Sequence, residues 1–533
     1  MPKEYAMMGN STKSWERRIQ SGQAGGNMAG NLSGMGPKAA ALFADWTDRI
    51  AAGELPPAPA RPQGKERNLV VTVWDWAKPK EYFHDAIASD KRNPTVNPNG
   101  LIYGVTEFSS DYMSVLDPVT NKVSEIKIPL RDMETPYATP RSGFQSSVYW
   151  GDEAIWDSKV VAHNPIFDAQ SRVWITSKVG VDENPDFCKK GSSHPSAKLF
   201  PMDRSTRHIG MYDPKTKRWT LVRTCFSTHH LFFAEDANNT LWTSGGGPVV
   251  GWLNTKMLEQ TGDEQKSQGW APLILDFNGN GKQDAWTEPD QPEDPAKDKR
   301  VQASFYGMMP APDGSVWGSV LGFPGSVVRL NPGANPPTTA LAEIYDVPYG
   351  IAGPNGTGFS PRGMDVDRNN VVWMPLASGH FASFDRRKCK APLNGPKATG
   401  KHCPEGWTLY PFPGPQLRNA KDYGSAEASY YSWVDWHDIL GLGKNTPIAT
   451  GNLNDALLAL DPASGKYTTL RVPYPRGFYA KGFDGRIDDP NGGWKGRGLW
   501  AVYGTRTPFH VEGGKGNTAK VVKFQMRPDP LAK

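Results

Sequence analysis

Ser227 to Gly247 reads STHHLFFAEDANNTLWTSGGG. A polar head carrying His229 and His230 runs into an apolar strand from Leu231 to Ala234. An Asp-Ala-Asn-Asn turn follows, and a second strand carries Leu241 and Trp242. Asp and Asn favour such turns because their side chains accept hydrogen bonds from the backbone just ahead. The unit is too short to bury its own faces, so its meaning depends on whether it recurs.

It recurs along the chain. With the second-strand aromatic as reference and eleven residues counted back to the head, the copies are RNPTVNPNGLIY (92–103), HNPIFDAQSRVW (163–174), LFFAEDANNTLW (231–242), YGMMPAPDGSVW (306–317) and RGMDVDRNNVVW (362–373). HDILGLGKNTPI (437–448) fits more loosely, and a seventh copy with an insertion runs FYAKGFDGRIDDPNGGWKGRGLW (478–500). Each copy is followed by a short strand ending in a hairpin turn, at Asp117, Asp213, Asn254, Asn331, Asp385 and Asp461, with Gln525 at that place in the last. Short antiparallel strands in seven registered copies predict an all-β fold, a seven-bladed β-propeller with long inter-blade insertions. The apolar run Asn68–Trp74 precedes the first copy and is placed to complete the last blade, closing the ring and covering an open edge. Residues 1–66 read instead as a short helical N-terminal arm, with helical spacing over Lys13–Gln20 and Pro37–Gly53 and a Pro-rich linker over Leu55–Gly64, leaving 67–533 for the propeller.

The units DGSVWGSVLGFPGSVVRLNPG and HNPIFDAQSRVWITS resemble those of the streptogramin lyase (virginiamycin B lyase-like) propellers. Blades there read His-Gly-Ile, Gly-Pro-Asp-Gly, Leu-Trp-Phe-Thr and Ile-Gly-Arg-Leu-Asp-Pro. The resemblance extends over residues 90–530 at the level of the repeat and implies a metal-assisted lyase that opens a cyclic ester by elimination. This chain departs from the pattern through insertions near 176–207, 256–300 and 386–432, which would cover one face.

Composition narrows the partners. The net charge is +5 over 533 residues, with Lys and Arg scattered among acidic residues, so nucleic acid is not an expected partner. No run of eighteen apolar residues predicts a membrane span, and no apolar signal segment is visible near the start. The four cysteines suggest two pairs, Cys188 with Cys225 and Cys389 with Cys403, or four free thiols. Disulfides would favour a periplasmic or secreted setting.

In a propeller the heads of the innermost strands meet around one mouth of the central channel. The counted heads are Arg92, His163, His229 with His230, Tyr306, Arg362, His437 and, in the last copy, Tyr479 or Lys481. Four of the ten histidines fall there. Neutral imidazoles from separate blades can converge on a divalent metal, magnesium or a transition metal, or one can serve as a base near neutral pH. His163, His230, Tyr306 and His437 are thus the catalytic candidates, and His163, His229, His230 and His437 the metal candidates. Arg92, Arg362 and Lys481 are the candidates for holding an anion. His84 with Asp85 precedes the first copy, with a place over the mouth and a helix-capping role both open, and His510 lies in the loop after the last Trp strand. The expected function is a metal-assisted lyase, or an enzyme opening a lactone or ester, on an oxygenated anionic small molecule. A copper-type redox propeller and a non-catalytic ligand-binding propeller are the alternatives.

One motif stands apart. Asp276, Asn278, Asn280 and Asp284 occupy positions one, three, five and nine of a calcium loop, with Gly281 at six. Thr287 stands where a bidentate Glu would close it. A structural calcium is expected in this insertion.

Overall fold

The computed structural model describes residues 5, 7–20, 25–55, 58–76, 78, 81, 83–138, 146, 151–154, 157–416, 424–473, 478–503 and 518–531. Among the described residues the strands form six four-stranded antiparallel sheets and one larger sheet, so the chain is an all-β propeller. Sheet one runs outward from Asp85–Ile87 through Ile102–Val105 and Tyr112–Asp117 to Lys122–Lys127. The innermost strands of the others are His163–Phe167, Leu231–Phe233, Met308–Pro310, Asp365–Val366, Ser432–Asp435 and Phe483–Ile487. Six sheets are regular four-stranded blades. Seven blades are expected from the sequence; six regular ones are found, and sheet four instead holds seven strands. The insertion ahead of it adds Ile274–Leu275, Asp298–Arg300 and Trp286–Thr287 outside Leu341–Asp346, covering an edge that would otherwise face solvent.

In most sheets an aromatic of the second strand does the packing between sheets; sheet six has Ile448 there. Trp174 packs with Leu231 and Phe233 of sheet three, and Trp242 with Phe305, Val316 and Val328 of sheet four. Trp500 packs with Ile102 and Leu116, which joins the last sheet to the first. Each such indole takes roughly 150–250 Å² out of water, a gross gain of about 4–6 kcal/mol before conformational entropy is subtracted.

Leu69–Asp75 closes the ring as the outermost strand of the last sheet, antiparallel to Lys520–Met526 with Val71 opposite Phe524 and Val73 opposite Val522. Both disulfides are formed, Cys188–Cys225 and Cys389–Cys403. The N-terminal segment forms helices α1 (Ser11–Gln20), α2 (Gly25–Ser33) and α3 (Lys38–Ala51). Trp15 of α1 lies against Phe43 of α3 and donates from Nε1 to Thr47 Oγ1 at 3.1 Å.

Candidate functional site

The heads of three adjacent sheets bring four histidines into contact. His84 immediately precedes the innermost strand of sheet one, His163 opens that of sheet two, and His229 and His230 precede that of sheet three. The His84 ring meets His163 edge-on at a centroid distance of 3.7 Å. His163 stacks on His229 at 4.4 Å, and His229 meets His230 at 3.9 Å. One nitrogen each from His163, His229 and His230 lie within 4.8 Å of one another, and so do ligand atoms of His84, Asp85 and His163.

Local backbone devices aim these rings. The ladder of sheet two is irregular between His163 and Pro165, with Asn164 at φ 35°, and such a bulge re-aims the side chain beside it. Asn164 Oδ1 then accepts from the amide of Leu231, tying sheet two to the strand that follows the paired histidines. Gly245 has φ 81°, and a Cβ there would lie 2.6 Å from the Cβ of His229. Only glycine permits that approach.

Hydrogen bonds set the tautomers. His84 Nδ1 lies 2.8 Å from Asp85 Oδ2, so with a proton on that nitrogen Nε2 keeps its lone pair. His230 Nδ1 donates to the Tyr306 carbonyl at 2.9 Å, and the Tyr431 hydroxyl lies within hydrogen-bond distance of both ring nitrogens. His163 is different. It is fully buried, and among the described residues neither ring nitrogen has a hydrogen-bond partner. Its nearest acidic neighbour is Glu107, with Oε1 3.6 Å from Nδ1. Glu107 in turn accepts from Arg207 at 3.4 Å.

All four imidazoles are held neutral. Burial is the main cause, bringing His230 down to about 4 and His84, His163 and His229 well below the ordinary value. The positive charges of Lys481 and Arg207 push His84 the same way.

A second arc faces the histidines. The Arg362 guanidinium lies 5.0 Å from the Tyr306 ring and 4.6 Å from the Tyr430 ring, and Lys481 lies 4.9 Å from Tyr430. Burial raises the hydroxyls of Tyr306, Tyr430 and Tyr431, so all three stay protonated. Burial lowers Lys481 to about 8 against the opposing charges of Glu107 and Asp85. A groove of about 870 Å³ leads outward between sheets three and four. His229 and Tyr306 line it, with Pro289, Asp290 and Arg300 of the insertion.

The structure thus brings together His163, His229, His230, Tyr306, Arg362 and Lys481. It places Arg92 and His437 elsewhere. The innermost strand of sheet one starts at Asp85, so Arg92 falls in the connection beyond it, and His437 likewise follows its strand, Ser432–Asp435. Both sit towards the opposite end of the channel. Arg92 grips Asp90 and reaches Asn239 Oδ1 at 2.8 Å, and His437 Nε2 donates to the Lys91 carbonyl at 3.0 Å. Lys91 itself is buried, paired with Asp365, and lies 4.5 Å from the Trp436 ring. The heads that counting missed are His84 with Asp85 and Tyr430 with Tyr431. His510 lies outside the described residues.

The chain matches no protein-family profile and no curated relative. Among solved structures, virginiamycin B lyase from Staphylococcus aureus is similar at 8% identity and a TM-score of 0.47, over 86% of this chain and 100% of that one. A streptogramin B lyase structure is similar at 10% identity and 0.46, over 87% and 100%. YCF48 bound to a D1 peptide follows at 10% identity and 0.44, over 90% and 100%. Nothing about chemistry transfers at that level, and the fold stands on the sheet topology described above.

Proposed function

We propose that this propeller is an enzyme with a histidine-held metal centre at its channel mouth, acting on an oxygenated, anionic small molecule by elimination or by lactone or ester opening. The observation that carries the reading is His163. A buried ring nitrogen without a partner costs about 1–3 kcal/mol, and His163 carries two among three other neutral imidazoles. A metal ion would satisfy that set. Imidazole donors suit zinc, copper or iron, whereas magnesium prefers oxygen ligands, so the donor set favours a transition metal. His84, His163, His229 and His230 would hold it, and Asp85 would orient His84 as an outer partner.

Such an ion would supply Lewis acidity toward a carbonyl or carboxylate oxygen. The chain's own residues account for the rest. Arg362 is placed to pair with the substrate's anionic group. Lys481, near 8, exchanges its proton close to neutral pH and serves as the proton acceptor. The tyrosines opposite remain protonated, so Tyr306 can donate a hydrogen bond to the leaving oxygen. The groove between sheets three and four is large enough for a drug-sized molecule. In this reading the seven-stranded sheet counts as a seventh blade, since its four inner strands repeat the common meander.

One observation favours a second reading. The Tyr431 hydroxyl on His230, beside an all-imidazole donor set, also suits a copper redox centre. Metal analysis with visible absorption separates them. A colourless stoichiometric metal supports the lyase reading, and an intense visible band supports the redox one. Absence of any stoichiometric metal, with His163→Ala fully active, would leave a ligand-binding propeller.

A further inference from the structure

The insertion that walls the groove contains a second cluster of oxygen donors, remote from the histidines in sequence and chemistry. Asp276 is 6% exposed. Its Oδ2 accepts from the Gly281 amide at 2.9 Å, which sets the carboxylate inside its own loop, and from Asn394 Nδ2 at 2.8 Å. Its Oδ1 is buried and has no partner among the described residues. Asn278 and Asn280 donate from Nδ2 to Asp284 Oδ2, at 3.0 and 2.6 Å, while their Oδ1 atoms accept from the amides of Asn280 and Lys282. Behind them Asp298 is fully buried and accepts from the amides of Phe277 and Asp284. Burial raises its carboxyl, and the negative charges of Asp276 and Asp284 add to the rise. Among the described residues no cationic side chain pairs with Asp276, Asp284 or Asp298.

The buried Asp276 Oδ1 has no partner, Asp298 lies buried behind the loop and Asp284 sits exposed at its rim, so the buried part of this charge costs free energy unless a cation satisfies it. The oxygens are hard donors, and the spacing one, three, five, nine with Gly281 at six is that of a calcium loop. Thr287, at position twelve, instead sends its hydroxyl to the Asp298 carbonyl. Glu288 is taken by Arg300 and Trp286. The closing carboxylate must therefore come from elsewhere, and Asp298 is the one that backs the loop.

We propose that residues 276–284 with Asp298 form a structural calcium site, and that it ties this insertion to the disulfide-closed loop between Cys389 and Cys403. The tie is visible on the second loop. Besides Asn394 on Asp276 Oδ2, the Gly395 amide donates to the Asp276 carbonyl at 2.8 Å. Calcium therefore fixes the segment that gives Pro289, Asp290 and Arg300 to the wall of the groove. The site stands independently of the histidine centre.

The test uses the full-length protein, stripped with a calcium-selective chelator and titrated with calcium chloride alone. A saturable rise in the thermal unfolding midpoint is expected, and terbium bound in its place should emit when excited through Trp286, two residues after Asp284. Calcium should displace that emission. Asp276→Asn should lose both responses while keeping the metal of the histidine centre. Trp286→Phe should lose the emission and keep the thermal shift, which preserves a readout should the Asp276 variant fail to fold. No calcium response in the wild type, or full retention of both responses in Asp276→Asn, or full emission in Trp286→Phe, would overturn the proposal.

Discussion

His84 and His163 stand edge to face with ring centroids 3.7 Å apart, although one belongs to the first sheet and the other to the second. Their contact joins the heads of two sheets into one cluster at the mouth. Asp85 orients the first ring, and nothing among the described residues hydrogen-bonds to the second.

That asymmetry separates ligand from support. Asp85→Asn keeps the volume and removes the charge behind His84. Outer partners of this kind are worth 10–100-fold in metal affinity. Competition with a chromophoric chelator should show a loss in that range with an unchanged circular dichroism spectrum. An unchanged affinity would remove Asp85 from the centre.

The histidines also predict how stability depends on pH. Their folded values lie below the unfolded one, so between the two the unfolded chain binds more protons. Their contribution is complete above pH 6.5 and is lost as pH falls toward about 4. For His230 alone the change is on the order of 3 kcal/mol. Denaturant titrations of the metal-free protein across that window should show midpoints falling with pH in the wild type, and less steeply in His230→Gln.

How far the chain discloses this site depends on the length of the connections. His163, His229, His230, Tyr306, Arg362 and Lys481 lie where counting from the second-strand aromatic, or in Lys481's case the insertion-bearing copy, puts them. In sheets one and six the connection between first and second strands is longer, spanning residues 88–101 and 436–445. A fixed count therefore landed on Arg92 and His437, inside those connections. The missed heads had a signal of their own, since FHDAI and YYSWVDW each join a polar or aromatic head to a short strand. Glu107 and Arg207 come from connections outside the repeat, and no periodicity points to them. The extra strands of sheet four are two or three residues long, below what alternation can register. The cysteine pairs were readable as candidates, but only the approach of the chain joins them.

Lys91 tests the far end of the channel. Lys91→Met would leave Asp365 buried without its countercharge, at a cost of about 3–5 kcal/mol. Burial already raises Asp365. Its protonation at low pH should therefore narrow the deficit relative to the wild type. Equilibrium unfolding at two pH values measures this, and a deficit independent of pH would argue against the pair.

Lys481 carries the proton-transfer assignment. The rate should rise with pH through about 8 as the amine loses its proton. Lys481→Arg keeps the charge but cannot accept the proton, so kcat should fall by about 10²–10⁴ with a smaller change in KM. A variant that lost binding and kept kcat would make Lys481 an anion clamp instead.

The central claim is that the four imidazoles share one metal ion, and X-ray absorption at the metal edge of the purified full-length protein tests it most directly. The predicted spectrum has three or four nitrogen scatterers at about 2.0–2.1 Å with the outer-shell pattern of imidazole, and loses part of that shell in His163→Ala. A metal surrounded by oxygen alone, or an imidazole shell unchanged by His163→Ala, would contradict the account.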